Sequence, residues 1–345
     1  PAWYNDAGDV AVCKTEEEAV ALFTAAGQST AGIKQDEDVV DTWFSSWMWP
    51  ISVFDGFEDP DNADIKYYYP TNDLVTAPEI LFFWVARMIM AGMEYRQEVP
   101  FKNVYLTGIV RDKQGRKMSK SLGNSPDPLE LIEKFGADGV RVGMLLTSPA
   151  GNDLPYDDSL CEQGRNFSNK IWNAFRLVKG WAVEDREASV TNGIAVEWMR
   201  SRVQLATAEV DELFTQFRIS EALMATYKLI WDDLCSWYLE SIKPPMGAPM
   251  DRVTYEATID IFSDVMKLLH PFMPFLTEEV WQALRERDGQ GHIIVAPWPN
   301  AGAGDTKLAM EVAHAFDHVS ALRNLRSSRG MSPKDALELQ VKGAA

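Results

Sequence analysis

Cysteine and histidine are scarce in this chain, at three and four of 345 residues. Cys13, Cys161 and Cys235 lie far apart and no CxxC pair occurs, which argues against a disulfide framework and against a zinc site and fits a reducing cytoplasm. Long apolar runs are missing too. The longest, Ile80 to Met93, is short and carries Arg87, well below a membrane span, and no signal-peptide pattern precedes it. Positive charge is in deficit: 33 Lys and Arg against 51 Asp and Glu leave −18, the opposite of the basic balance of a nucleic-acid binder. Binding follows the local field, however, so a large acidic chain can still carry a basic stripe.

What is present is a hydrophobic content of 46% with 12 Trp and 16 Phe, enough for a folded protein of two or three domains. The stretch that organises the rest is Arg111 to Asn124, RDKQGRKMSKSLGN. It follows the apolar residues Val104, Tyr105, Leu106, Gly108, Ile109 and Val110, which read as a buried β-strand. Its lysines therefore sit on a loop at a strand end, where open α/β sheets bind ligands. A lysine there offers a compact ammonium to phosphate oxygens, while Ser119, Ser121 and the loop amides add donors. Gly115 and Gly123 leave the loop free to close and reopen. The same cations (Lys113, Arg116, Lys117, Lys120) are also what a solvated surface loop looks like.

Before the loop, residues 1 to 35 read as a hairpin (Trp3-Tyr4 and Val10 to Val12) and a helix capped by Thr15 and Glu18 that ends near Gly27. DEDVVDTWFSSWMWPIS from Asp36 packs acids against Trp43, Phe44, Trp47 and Trp49; it reads as a pocket wall for an ammonium and an apolar side chain, or equally as a buried strand end. Tyr67 to Thr71 reads as a strand and turn. A helix follows from Pro78 to Met93, with Thr76 as N-cap, Glu79 in its first turn and Phe82, Phe83 and Trp84 as an apolar start destined for the core.

After the loop, Asp127-Pro128-Leu129-Glu130 is a capping box opening a helix that stops at Gly136, and a second helix runs from Asp138 to Leu146. Ser148 to Asp158 reads as a linker. From Ser159 to Arg329 the pattern is helical, with apolar stripes at Phe167, Ile171, Phe175 and Val178, at Leu223, Tyr227, Ile230, Leu234 and Trp237, and at Ile261, Val265 and Leu268. A bundle of about five helices is expected, with a strand beginning at Glu338 to Val341.

KMSKS resembles the second signature of class I aminoacyl-tRNA synthetases. With it in place, DEDVVDTWFSS, ILFFWVARM, DPLELIEKFGADGVR, NKIWNAFR and LHPFMPFLTEEVW resemble, in order, the bacterial-type valyl-tRNA synthetase family of class Ia. The resemblance covers essentially the whole chain. It implies an α/β fold, the second half of a Rossmann-like catalytic domain, followed by an all-α bundle. The implied boundaries are 1–35 for the end of an inserted region, 36–150 for the catalytic half, 151–330 for the anticodon-binding domain and 331–345 for the start of a further segment. Because the chain opens on Pro1 and shows neither HIGH nor an editing domain, it reads as a fragment, inactive alone.

The implied reaction joins valine to ATP as valyl-adenylate and passes the acyl group to tRNA(Val), with Mg2+ accompanying ATP, no tightly bound cofactor and a monomeric, cytoplasmic protein. Lys117 and Lys120 are implied as catalytic; Gly108, Ile109, Lys117, Met118, Ser119, Lys120 and Ser121 as the ATP site; Trp43, Glu79 and Trp84 as the valine site. Glu79 departs from the usual aspartate. Arg165, Lys170, Arg176 and Lys179, and Arg323, Arg326 and Arg329, are local basic clusters that read either as solvated faces or as tRNA contacts. The competing readings are a non-catalytic tRNA-binding protein derived from a synthetase and an isoleucyl-tRNA synthetase.

Overall fold

The computed structural model describes residues 1–148, 150–287, 291–332 and 335–336. The chain divides into two compact units, Pro1–Leu106 and Thr107–Ala345.

The first unit opens on the expected hairpin, β1 (Ala2–Tyr4) against β2 (Val10–Val12), with β3 (Lys34–Gln35) added to the far side of β1. Helix α1 (Glu16–Ala25) starts where Thr15 Oγ1 accepts from the Glu18 amide at 3.3 Å. DTWFSS is neither strand nor strand end: α2 (Thr42–Ser52) begins there, because Asp41 Oδ1 accepts from the Trp43 amide and offers an N-cap. Tyr67 and Tyr68 likewise close helix α3 (Ala63–Tyr68) instead of starting a strand.

Then comes a βαβ unit. β4 (Thr71–Thr76) and β5 (Phe101–Leu106) pair in parallel, and between them the chain runs through a 3-10 turn (Pro78–Ile80), a π-helical turn (Leu81–Val85) and α4 (Ala86–Arg96). Thr76 is thus the last residue of β4 and not an N-cap. The apolar start of this helix is not core either: Phe82 is 77% and Phe83 57% exposed, and only Val85 of that turn is buried. The i→i+5 pattern of this turn departs from the 3.6-residue spacing of a regular α-helix.

In the second unit β6 (Val110–Arg111) and β7 (Leu154–Pro155) form a parallel pair, so the apolar run before the loop belongs to two different sheets. The stretch read as a linker supplies β7. Helix α5 (Pro128–Phe135) is capped by Asp127, whose Oδ1 accepts from the Leu129 amide at 2.8 Å, and α6 (Ala137–Leu146) follows directly. Among the described residues the bundle then comprises α7 (Asp158–Lys179), α8 (Val190–Thr215), α9 (Ile219–Lys228) continued by a π-helical segment (Leu229–Tyr238) and α10 (Leu239–Ile242), α11 (Arg252–Leu269), α12 (Pro274–Leu284) and α13 (Thr306–Ser328). That is six helical stretches where about five were expected. A two-residue parallel pair, β8 (Val183–Glu184) with β9 (Met250–Asp251), links two of the connections. The strand expected at 338–341 lies outside the described residues, and no described helix is long and apolar enough to cross a membrane.

The three apolar stripes form one core, with Phe167, Leu223, Ile230, Leu234, Phe262 and Val265 fully buried. Two devices join α6 to it. Gly139 and Gly164 let α6 and α7 approach until a Cβ on Gly164 would collide with the Gly139 carbonyl. Asp138, buried on α6, caps a different helix: its Oδ2 accepts from the Leu276 amide at 2.6 Å and its Oδ1 from Phe275 at 3.4 Å, at the start of α12, whose own N-cap Met273 offers no side-chain acceptor. Arg141 adds bonds of 3.0 Å to the carbonyls of Phe272 and Pro271. Burial pushes the Asp138 carboxyl up and the amides only partly offset it. Gly164→Ala is expected to destabilise this unit by roughly 2–4 kcal/mol through the backbone clash, read as a lower urea midpoint at unchanged slope; an unchanged midpoint would mean the helices separate freely.

Candidate functional site

The basic loop is a small construction held by aspartates. Strand β6 turns back on itself through Asp112 to Gly115 so that Arg111 bridges Lys117, and the Met118 amide donates to the Val110 carbonyl at 3.2 Å. Gly115 takes φ +77° in that turn. Asp112 sits at its centre. Its Oδ1 accepts from the amides of Gln114 and Arg116, both at 2.9 Å, and its Oδ2 from the Arg116 Nε at 2.8 Å and the Asn124 Nδ2 at 3.0 Å. Hydrogen bonding from Asn124, with Arg116 and Gln114 behind it, holds this carboxyl far below the ordinary carboxylate range.

Two further aspartates reach the loop from the β7 segment. Asp153 Oδ1 accepts from the Ile109 amide at 3.1 Å and its Oδ2 pairs with Arg111, while Asp157 pairs with Lys113 at 2.7 Å. Arg111 pulls the Asp153 carboxyl down and Lys113 pulls Asp157 down. Three of the loop's cations are thereby matched, Arg111 with Asp153, Lys113 with Asp157 and Arg116 with Asp112. Lys120 is exposed and, among the described residues, its ammonium forms no ion pair or hydrogen bond. Lys117 is exposed beside it and has a partner of its own.

Met118 points inward instead: its side chain packs against the buried cluster of Phe135, Tyr156 and Cys161. The two serines serve the loop, with Ser119 Oγ and Ser121 Oγ 3.2 Å apart and Ser119 Oγ accepting from the Leu122 amide at 3.3 Å. Gly108 lies so close to residue 152 that a Cβ would strike the Asn152 carbonyl oxygen. The amides of Ile109 and Met118 are both committed within the chain, which leaves carbonyls and side chains, rather than these two donors, to meet any base placed there.

The other expected site residues lie in the first unit. Trp43 is half-buried in the first turn of α2 with the Arg87 guanidinium 4.6 Å from its ring centre. Glu79 is exposed in the 3-10 turn and Trp84 half-buried in the π turn.

In the bundle, Lys170 lies 4.5 Å over the ring of Trp231 and Arg323 5.3 Å over that of Trp237, both rings on the π-helical segment. Arg165 pairs with Glu162 at 3.1 Å, Arg176 is exposed, and Arg326 donates to the Asp335 carbonyl at 2.7 Å. Lys179 is bonded to the Leu284 carbonyl at 3.2 Å. Sequence reading missed Asp112, Asn124, Asp153 and Asp157. Asp112, whose bond to the Gln114 amide is an Asx turn, was open to view inside the motif; the other three had no local signal.

Depressed carboxyls stabilise the loop above roughly pH 4, and that contribution is lost as pH falls through their lowered values. Carbon NMR titration of the Asp112 carboxyl should give a midpoint well below that of an ordinary aspartate. A midpoint at the ordinary value would contradict this arrangement.

The family description "tRNA synthetases class I (I, L, M and V)" matches residues 5–157, and "Anticodon-binding domain of tRNA ligase" matches 196–341. The chain is 56% identical to the valine–tRNA ligase of Parabacteroides distasonis and 55% to that of Christiangramia forsetii, over 99% of its own length and 40% of theirs. The Chlorobaculum tepidum valine–tRNA ligase is 39% identical over 95% of the chain. The chain therefore spans about 40% of the length of the curated relatives it matches. Among solved structures, the ternary complex of Agrobacterium radiobacter K84 agnB2 LeuRS with tRNA and LeuAMS superposes with TM-score 0.62 at 19% identity, over 90% of this chain and 41% of that one. Mycobacterium tuberculosis methionyl-tRNA synthetase with methionyl-adenylate gives 0.58 at 20%, over 86% and 61%. At those identities the likeness is one of fold. A KMSKS loop built on a strand end, the two family descriptions that between them cover most of the sequence, and relatives above half identity together place this chain in the class I tRNA synthetases.

Proposed function

We propose that this chain works within a valine–tRNA ligase, which activates valine with ATP and transfers it to tRNA(Val). In the first step a valine carboxylate oxygen attacks the α-phosphorus, the bond to the β-phosphate oxygen breaks, and pyrophosphate leaves with the bond's electrons. In the second, a hydroxyl at the 3′ end of the tRNA attacks the acyl carbon and AMP departs. Mg2+ arrives with ATP as part of the substrate.

The observation that carries this reading is Lys120. In a chain of net charge −18, aspartates match Arg111, Lys113 and Arg116, yet Lys120 is held out without a carboxylate. An ammonium kept available on a fixed loop suits an anion that arrives from outside, and stabilising the negative charge that develops on pyrophosphate needs a preorganised cation. Lys117 joins it, and Gly108, Ile109, Met118, Ser119 and Ser121 form the loop's ATP-facing framework. Trp43 and Trp84 line the valine side chain and Glu79 meets its ammonium. For tRNA, Lys170, Arg323, Arg165, Arg176 and Arg326 are phosphate contacts. The ligase acts as a monomer in the cytoplasm.

ATP–pyrophosphate exchange by the complete gene product should depend on valine in preference to isoleucine and threonine, and Lys120→Ala should lower it roughly 100- to 1,000-fold. A folded product that exchanges with no amino acid would overturn the enzyme reading in favour of a tRNA-binding one.

A further inference from the structure

We infer that Asp112 and Asn124 form a clasp that positions the KMSKS loop for catalysis, so that both are positioning residues acting through Lys117 and Lys120; the catalytic part of this inference rests on the function proposed above.

The loop leaves the strand at Asp112 and ends at Asn124, and these two side chains bond to each other at 3.0 Å. Every polar atom of the Asn124 amide is used. Its Oδ1 accepts from the Ser119 amide at 2.9 Å, and its Nδ2 donates both to Asp112 and to the Lys117 carbonyl at 3.3 Å. The backbone groups it holds therefore belong to two residues of the motif itself, on either side of Met118. Asp112 meanwhile fixes the turn before the motif through Gln114 and Arg116. The carboxylate accepts and the carboxamide both donates and accepts, so neither an alanine nor an exchange of one type for the other reproduces the set. The hydrogen bond from Asn124, with those from Arg116 and Gln114, lowers the proton affinity of Asp112 and keeps it an acceptor at neutral pH.

The consequence is geometric. Lys120 gains nothing from a carboxylate partner, so its place is set by its backbone, and that backbone is tied down by Ser119 on one side and by the Gly123 amide bonded to the Lys120 carbonyl at 3.2 Å on the other. Releasing the clasp spreads Lys120 over many positions, and displacement of a catalytic group by about an ångström costs on the order of 100-fold in rate.

The test is valine-dependent pyrophosphate exchange by the complete gene product carrying Asp112→Ala, Asn124→Ala, both, or Asn124→Asp, alongside thermal unfolding and limited trypsin cleavage after Arg116, Lys117 and Lys120. Each alanine variant should lose roughly 10- to 100-fold in kcat with KM for valine within about twofold and an almost unchanged Tm. The double variant should be no worse than the poorer single, because one unit is being broken. Asn124→Asp, which keeps the acceptor for Ser119 but sets a second carboxylate against Asp112, should lose at least as much as Asn124→Ala and gives a second reading where alanine does not fold. Wild-type rates in the single variants, or losses that multiply in the double, would overturn the clasp and leave the ligase reading standing. Should the wild type exchange with no amino acid, the ligase reading fails and trypsin decides: faster loop cleavage in Asn124→Asp or Asn124→Ala supports the clasp, and equal rates overturn it.

Discussion

A strand pair only two residues long, β6 beside β7, is the constraint on which the loop depends. It brings Asp153 and Asp157 under a segment that carries the chain's densest run of cations. Exposed ion pairs of this kind stabilise weakly, so their weight lies in orientation: Arg111 and Lys113 are held by Asp153 and Asp157, and the Ile109 amide is taken up by Asp153. Lys120 is thus left without a carboxylate partner among the described residues, although the chain as a whole carries a net charge of −18.

The platform beneath the loop is part of the helical unit. Met118 drops into a cluster with Phe135, Tyr156 and Cys161, contributed by α5, by the residue just after β7 and by α7. Helix α6 is in turn fastened to α7 by the Gly139–Gly164 approach and to α12 by the Asp138 cap. The base of the loop thus rests, through the Met118 side chain, on helices that are themselves fastened together.

Where the chain was legible, the signals were local. Asp127-Pro128 and Gly136 bracket α5 as cap, first turn and stop, and the stripes at Phe167 to Val178 and Leu223 to Trp237 lie on the buried side of the bundle. The failures are equally physical. Phe82 and Phe83 look like core in composition, but the π-helical turn sets them at a spacing that a 3.6-residue reading does not anticipate. Asp41 converts an aromatic run with strand character into a helix by capping one amide. The Gly- and Pro-rich stretch after Ser148 carries the turn residues of a linker, yet two of its residues pair with β6 because the loop needs a neighbour there.

By itself the sequence determined the hairpin, the capped helices around the loop, the buried stripes of the bundle, the KMSKS string and the family, because each is written in adjacent residues or in a period of three to four. Only the tertiary structure decided which cations are matched and which is held out. That choice rests on contacts between residues 42 and 44 positions apart, Arg111 and Ile109 with Asp153, and on the three-way bonding of one asparagine amide. Such pairings depend on where the folded backbone brings distant residues together, and nothing in the local chemistry of an aspartate in a turn announces them.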